Sequence, residues 1–438
     1  MHRAATAMLT NIPGRLEQRF QAPPVGRRAL SLAIAMLSVA CDARPQALEA
    51  DLRAAADRAL PRLEVLAGLE QRHPIALGVR TRAELRRFIE RRLAEDLPEE
   101  EVEGVRATYV ALGLLPPELD LEALLLDLYT EQIVGFYDPG SDTLYVVDDV
   151  PEAQRETVLV HELVHALQDQ HADLEALMHR SLGSDRQRAS QAAIEGHATL
   201  VMVAYSLDAL GADPAALMAV PDLASQLGPA LQASSFPVLA DAPRILRDGL
   251  LFPYFSGAGF VLELWRARAT GSLAGGATYP APLGDLLPAS TEQVRRPETH
   301  FLAEVDAPTG VSFGPPASDG WPTLYENTLG ELELSILLGE WLGEEAEALA
   351  HGWDGDRYLT LRDPAGGVAL DIAIVWDDAA SADAFAAAYR RAAAARTHRA
   401  VRVARERLAG VEVVRIADVP AGTDPEALPR RPLTLRPR

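Results

Sequence analysis

Apolar residues recur every three or four positions in LEADLRAAADRALPRLEVL, RAELRRFIERRLAEDL and ELDLEALLLDLYTEQI, between Arg44 and Gln132. That is the rhythm of helices with one face turned to a core. Pro74, Pro98 and the pair Pro116–Pro117 punctuate them. At Ile133 the pattern changes. IVGFYDPGSDTLYVV places two β-rich runs around Asp138-Pro139-Gly140-Ser141 and predicts a hairpin. Helical spacing then resumes from near Glu152 to about His179, and again from Gln187 to Leu210. Pro214 to Leu251 reads as mixed helix and loop, a further helix begins near Gly257, and APLGDLLPASTEQVRRPETHF reads as a Pro-rich loop.

Beyond Phe301 strands and helices alternate. LGELELSILLGEWL and SADAFAAAYRRAAAAR have helical spacing. DRYLTLRDPAGGVALDIAIVW and RAVRVARERLAGVEVVRI each read as strand, turn and strand, and the terminal PLTLRPR reads as frayed. The chain shows no internal repeat and no heptad array. The expected class is α+β: a helical region over 42–132, a mainly helical domain with a small hairpin over 133–300, and an α+β portion over 301–438.

Composition narrows the partners. An apolar content of 48% and a charged content of 24% are those of a globular protein. The net charge of -22 argues against nucleic acid or an anionic lipid face as partner. Every basic residue is an arginine, and the single cysteine, Cys41, rules out an internal disulfide. That cysteine closes GRRALSLAIAMLSVAC, two arginines followed by an apolar stretch too short to span a membrane. The segment resembles a bacterial lipoprotein signal, although Ser38 stands where leucine is usual. It predicts export of residues 42 onward, with Cys41 lipidated and anchored to the cell envelope.

The chemistry concentrates in VHELVHALQDQH, residues 160 to 171. Residues four apart share a helix face, so His161 and His165 can direct imidazole nitrogens at one ion. Glu162 is turned about 100° from His161, beside the ion, where a carboxylate can relay a proton from water to a leaving amine. Two imidazoles, a carboxylate and water form an open tetrahedral zinc site.

The third ligand has two candidates. His161, His165 and His171 reproduce the spacing of HExxHxxGxxH. That pattern needs a glycine to stop the helix and turn the last histidine back, and its glycine position is Gln168. A helix that continues carries His171 out of reach. The alternative is Glu195 in AAIEGHATL, a lone acid in an apolar helical run that is costly to bury unless paired or metal-bound. Gly196 beside it permits a close helix approach, and the intervening residues suffice for an antiparallel return.

These segments resemble a group of predicted bacterial gluzincin-type metallopeptidases, usually exported or lipoproteins. Those proteins carry HELxHALQDQ, EGxAT, an FPY-G segment and a PPxSTEQ-HPE segment. Here HELVHALQDQH and IEGHAT are joined by Phe252-Pro253-Tyr254 with Gly257, by Pro288-Ala289-Ser290-Thr291-Glu292-Gln293, and by Pro297-Glu298. GWDGDR and Trp376-Asp377-Asp378 also fit, so the resemblance covers roughly residues 130 to 390. Arg296 departs from it, standing where the group has histidine. The resemblance implies a zincin-like fold, with zinc held by His161, His165 and Glu195, Glu162 as acid and base, and a peptide or protein as substrate. Asp169 and Gln168 are candidates to orient a ligand histidine, and Tyr254, Tyr205 and His197 to stabilise an oxyanion. The competing expectation is a non-catalytic zinc-binding envelope lipoprotein, its site closed by a fourth ligand such as His171 or His197.

Overall fold

A computed structural model describes residues 31–221, 236–270, 279–316 and 320–436. The first thirty residues of the expected export signal lie outside the described residues, as does the Cys41 side chain. Among the described residues no helix is long and apolar enough to cross a membrane.

The architecture is α+β. Helix α1 (Ser31–Ala67) leads into strand β1 (Ala76–Arg80), then α2 (Arg82–Asp96), α3 (Glu99–Leu112) and α4 (Leu121–Gln132). Thr81 and Glu84 form a capping box at the start of α2, and Gly113 closes α3 in the left-handed conformation that glycine adopts without strain. The hairpin follows as β2 (Gly135–Asp138) and β3 (Thr143–Val147). Strand β1 pairs parallel with β3, giving a three-stranded sheet of order β1-β3-β2. The helical rhythm assigned to the whole of 42–132 therefore misses a strand. Five residues carry no readable period, and their partner lies more than sixty positions along the chain.

Helix α5 (Glu152–His171) ends well before His179, the end expected from the pattern. Asp173 accepts from the Ala176 N–H and opens a separate short helix, α6 (Leu174–Leu177), while Asp169 accepts from the Leu174 N–H. Two side-chain caps turn the axis where apolar spacing continues. Helix α7 (Ser184–Ala209) packs on α5, and a short helix, α8 (Pro237–Asp241), precedes α9 (Arg244–Arg268). Helix α9 begins thirteen residues before Gly257 and runs through Pro253, where a break was expected. Its packing against α7 supports it. A Cβ on Gly196 would strike the Gly257 backbone, and one on Gly257 would strike the Ala192 carbonyl. The bulk removed at Gly196 thus serves contact with α9.

The segment expected as a Pro-rich loop holds a buried turn of helix, α10 (Thr291–Arg295). Strand β4 (Gly310–Phe313), β5 (Thr323–Asn327) and helix α11 (Gly330–Leu342) lead to the remaining strands. The antiparallel sheet of order β5-β6-β7-β9-β8 comprises β6 (Trp353–Arg362), β7 (Val368–Trp376), β8 (Arg399–Leu408) and β9 (Val411–Pro420), with helix α12 (Ala379–Ala395) against it. The terminus is ordered into β10 (Leu433–Arg436), which pairs with β4, because Leu433 and Leu435 gain an apolar site beside Val413. The expected fraying is corrected by that pairing.

One core cluster runs from Leu52 to Ile416 and draws on all three of the regions expected from 42 to 438. Buried aspartates lock them. Asp185 at the start of α7 accepts from Thr291 N and Oγ1, and Asp356 in β6 accepts from Leu329 N and Gly330 N, both at 2.8 Å. With the Leu332 N–H donating to Thr291 Oγ1, the start of α7 is tied through α10 to α11 and the larger sheet.

Candidate metal centre

Helix α5 presents His161 and His165 one turn apart on the face that meets α7, which supplies Glu195. His161 Nε2 lies 3.2 Å from Glu195 Oε2, His165 Nε2 lies 3.2 Å from the same oxygen, and the two Nε2 atoms are 3.1 Å apart. Three atoms so spaced share a point about 2 Å from each, the length of a zinc–imidazole or zinc–carboxylate bond. The imidazole planes stand at 83° to one another. His165 and Glu195 are fully buried, whereas the His161 side chain keeps 13% of its surface exposed. The centre therefore opens on the His161 side.

The protonation of the donors is set by their neighbours. Gln168 Nε2 donates to Ile194 O and to His197 Nδ1, each at 3.0 Å, which leaves Oε1 to accept from His165 Nδ1 at 2.9 Å. The His165 proton is thus on Nδ1, and the Nε2 lone pair faces the cluster. Burial holds the His165 imidazole below its usual range, against the pull of Glu195, so it stays neutral. Burial, with His165 nearby, takes His197 down to about 3.

Glu162 is 2% exposed, and its Oε2 accepts from the Tyr137 N–H of β2 at 3.0 Å. The strand passes close over α5 because Gly135 has no side chain; a Cβ there would meet Val158. All four residues of β2 are buried, so the strand walls the site. Tyr254 reaches the centre from α9. Its ring stacks near His161 at 6.3 Å between centroids and its hydroxyl hydrogen-bonds Glu195; burial and that carboxylate push the phenol well up.

The other candidates sit elsewhere. Asp169 faces the hairpin, with the Tyr137 hydroxyl 3.0 Å from its Oδ2, whereas Gln168 is the one of the two seen on a histidine, at His165 Nδ1. His197 lies behind Gln168, edge-on to Trp265. Tyr205 is ten residues beyond Glu195, about 15 Å along the helix, and donates to Glu156. His171 ends α5 with Nε2 on the Glu70 carbonyl at 2.7 Å, away from the ion position.

Two features escaped the sequence reading. The Tyr137 N–H that fixes Glu162 is a backbone group and carries no residue signal. A second cluster, Glu292, His300 and Asp306, also brings possible ligand atoms within 4.8 Å of one another. The only trace of it was the STEQ segment, read as loop.

The site and fold define an α+β protein with a His-His-Glu centre beside a buried glutamate. Among known families, the model of a domain of unknown function (DUF8575) matches residues 323–424, from β5 to beyond β9 and outside this centre. No curated protein and no solved structure matches the chain.

Proposed function

We propose that the chain is a zinc-dependent peptidase of gluzincin type with a zincin-like domain around α5 and α7. The observation that carries the proposal is the convergence of His161, His165 and Glu195 on one point, with Glu162 held beside it. The donor set fits zinc: two imidazoles, that of His165 already oriented through Gln168, and one carboxylate. When bound, the ion supplies Lewis-acid polarisation of a peptide carbonyl and lowers the pKa of a water.

The chain's own groups do the rest. Glu162, anchored through one oxygen on Tyr137 N, takes the proton of the attacking water and returns it to the leaving amine. Tyr254, whose hydroxyl rests on Glu195, is the donor within reach of a developing oxyanion. The side exposed at His161 admits the substrate. A closed structural site, the competing reading, needs a fourth protein ligand. His171 and His197, the histidines considered for it, are engaged on Glu70 O and Gln168.

In the same reading the enzyme is exported and lipid-anchored through Cys41, and it acts on peptides or proteins in the cell envelope. Incorporation of labelled palmitate that disappears in Cys41→Ser tests the anchor. The reaction is tested by Glu162→Gln. Hydrolysis of a peptide mixture by the zinc-loaded protein should fall by about 10²–10⁴-fold, with zinc content unchanged. Undiminished hydrolysis sinks the assignment.

A further inference from the structure

We infer that Tyr137 is a positioning residue: its hydroxyl, held between Asp142 and Asp169, keeps the β2 backbone N–H on Glu162. The inference rests on the peptidase reading and adds how the proposed base is held in place.

The tyrosine spans two turns of the helix that carries the base. Glu162 and Asp169 are seven residues apart on α5, so they share a face and lie about 10 Å apart along the axis. Tyr137 meets the first with its backbone, the N–H standing 3.0 Å from Glu162 Oε2. It meets the second with its side chain, the hydroxyl donating to Asp169 Oδ2 at 3.0 Å. The same hydroxyl is 2.6 Å from Asp142 Oδ1. Asp142 closes the turn between β2 and β3 in the left-handed conformation, with φ 49°. Burial, and then the bond to Asp142, push the phenol up, so it keeps the proton that it donates.

The strand needs such a hold. β2 has four residues and lies at the edge of its sheet, paired with β3. A short edge strand is tied down by few ladder bonds and opens at low cost. At its far end Asp138 accepts from Arg92 Nη2 at 2.9 Å and from Ser141 Oγ at 2.6 Å. Those bonds shape the turn, and the Tyr137 hydroxyl joins it to α5. With the strand seated, the N–H fixes one oxygen of Glu162 and sets the plane of the carboxylate. Misplacing a reacting group by about 1 Å costs up to about a hundredfold in rate.

Tyr137→Phe removes the hydroxyl and leaves the ring. Two readouts are taken on the full-length chain. Hydrogen exchange followed by mass spectrometry, with and without added zinc, should show faster exchange confined to residues 134–142. Hydrolysis of the best-cleaved peptide of the mixture should show kcat about ten- to a hundredfold lower, with KM and zinc content as in the wild type. If that variant does not fold, Asp142→Gly combined with Asp169→Ala removes both acceptors and should give the same pair of changes. Unchanged exchange over 134–142, exchange raised throughout the chain, or a kcat within twofold of the wild type overturns the inference. The two proposals fail separately. Faster local exchange in a protein that cleaves no peptide removes the peptidase reading alone, and a variant with wild-type kcat removes the positioning role alone.

Discussion

Among the described residues two clusters gather histidine and carboxylate atoms at ligand-like spacing, yet their electrostatics are opposed. At His161, His165 and Glu195 the donor atoms face one another, and Gln168 holds the His165 proton on the outer nitrogen. At Glu292, His300 and Asp306, Arg296 donates to Glu292 Oε1 at 2.8 Å and also binds the buried Glu331. Burial, opposed by Arg296 but reinforced by Glu331, Asp377 and Asp306, pushes Glu292 up to about 9. Its carboxyl is then a neutral acid at physiological pH, and a guanidinium stands where an ion would approach. Spacing alone does not make a metal site; the protonation of the donors and the charge around them must also favour a cation.

The largest effect expected from this contrast is on zinc stoichiometry. Glu195→Ala should abolish stoichiometric zinc, whereas His300→Ala should leave it at one ion per chain, both measured by elemental analysis after dialysis. Loss of an equivalent in His300→Ala would break the comparison. A smaller effect is expected at Gln168. Its replacement by alanine should weaken zinc binding about 10–100-fold in a chelator competition, with the fold retained. An affinity within twofold of the wild type would mean that the tautomer of His165 is set by something other than this amide.

The smallest effect concerns pH and the arginine-filled cluster. Because Glu292 has a folded pKa raised to about 9, the folded state holds a proton that the unfolded chain has released. Its contribution to stability is complete below the ordinary carboxylate range and is lost as pH climbs towards 9. Glu292→Gln keeps a neutral group there at every pH. The melting temperature of that variant should fall less between pH 6 and 9 than that of the wild type. Parallel curves would show Glu292 to be ionised throughout.

How far the sequence reveals each region depends on the range of the signal. Helices α5 and α7, the hairpin, helices α11 and α12 and strands β6 to β9 are visible in apolar spacing, because each buries a face of its own over many residues. His161, Glu162 and His165 are visible for the same reason: one helical turn sets their relation. Strand β1, the true end of α5 and the unbroken α9 are not. Each is decided by a partner distant in sequence or by a cap that competes with the apolar rhythm.

The amino-acid sequence by itself determined a helix with two histidines on one face and named Glu195 as the acid most in need of a partner. Only the tertiary structure brought that acid onto the two nitrogens, chose Gln168 over Asp169 to orient His165, and separated Tyr254 from Tyr205. The physical reason is range. Periodicity carries what one turn of helix enforces, whereas convergence on a point, the sharing of a proton and the depth of burial arise only when separate helices pack.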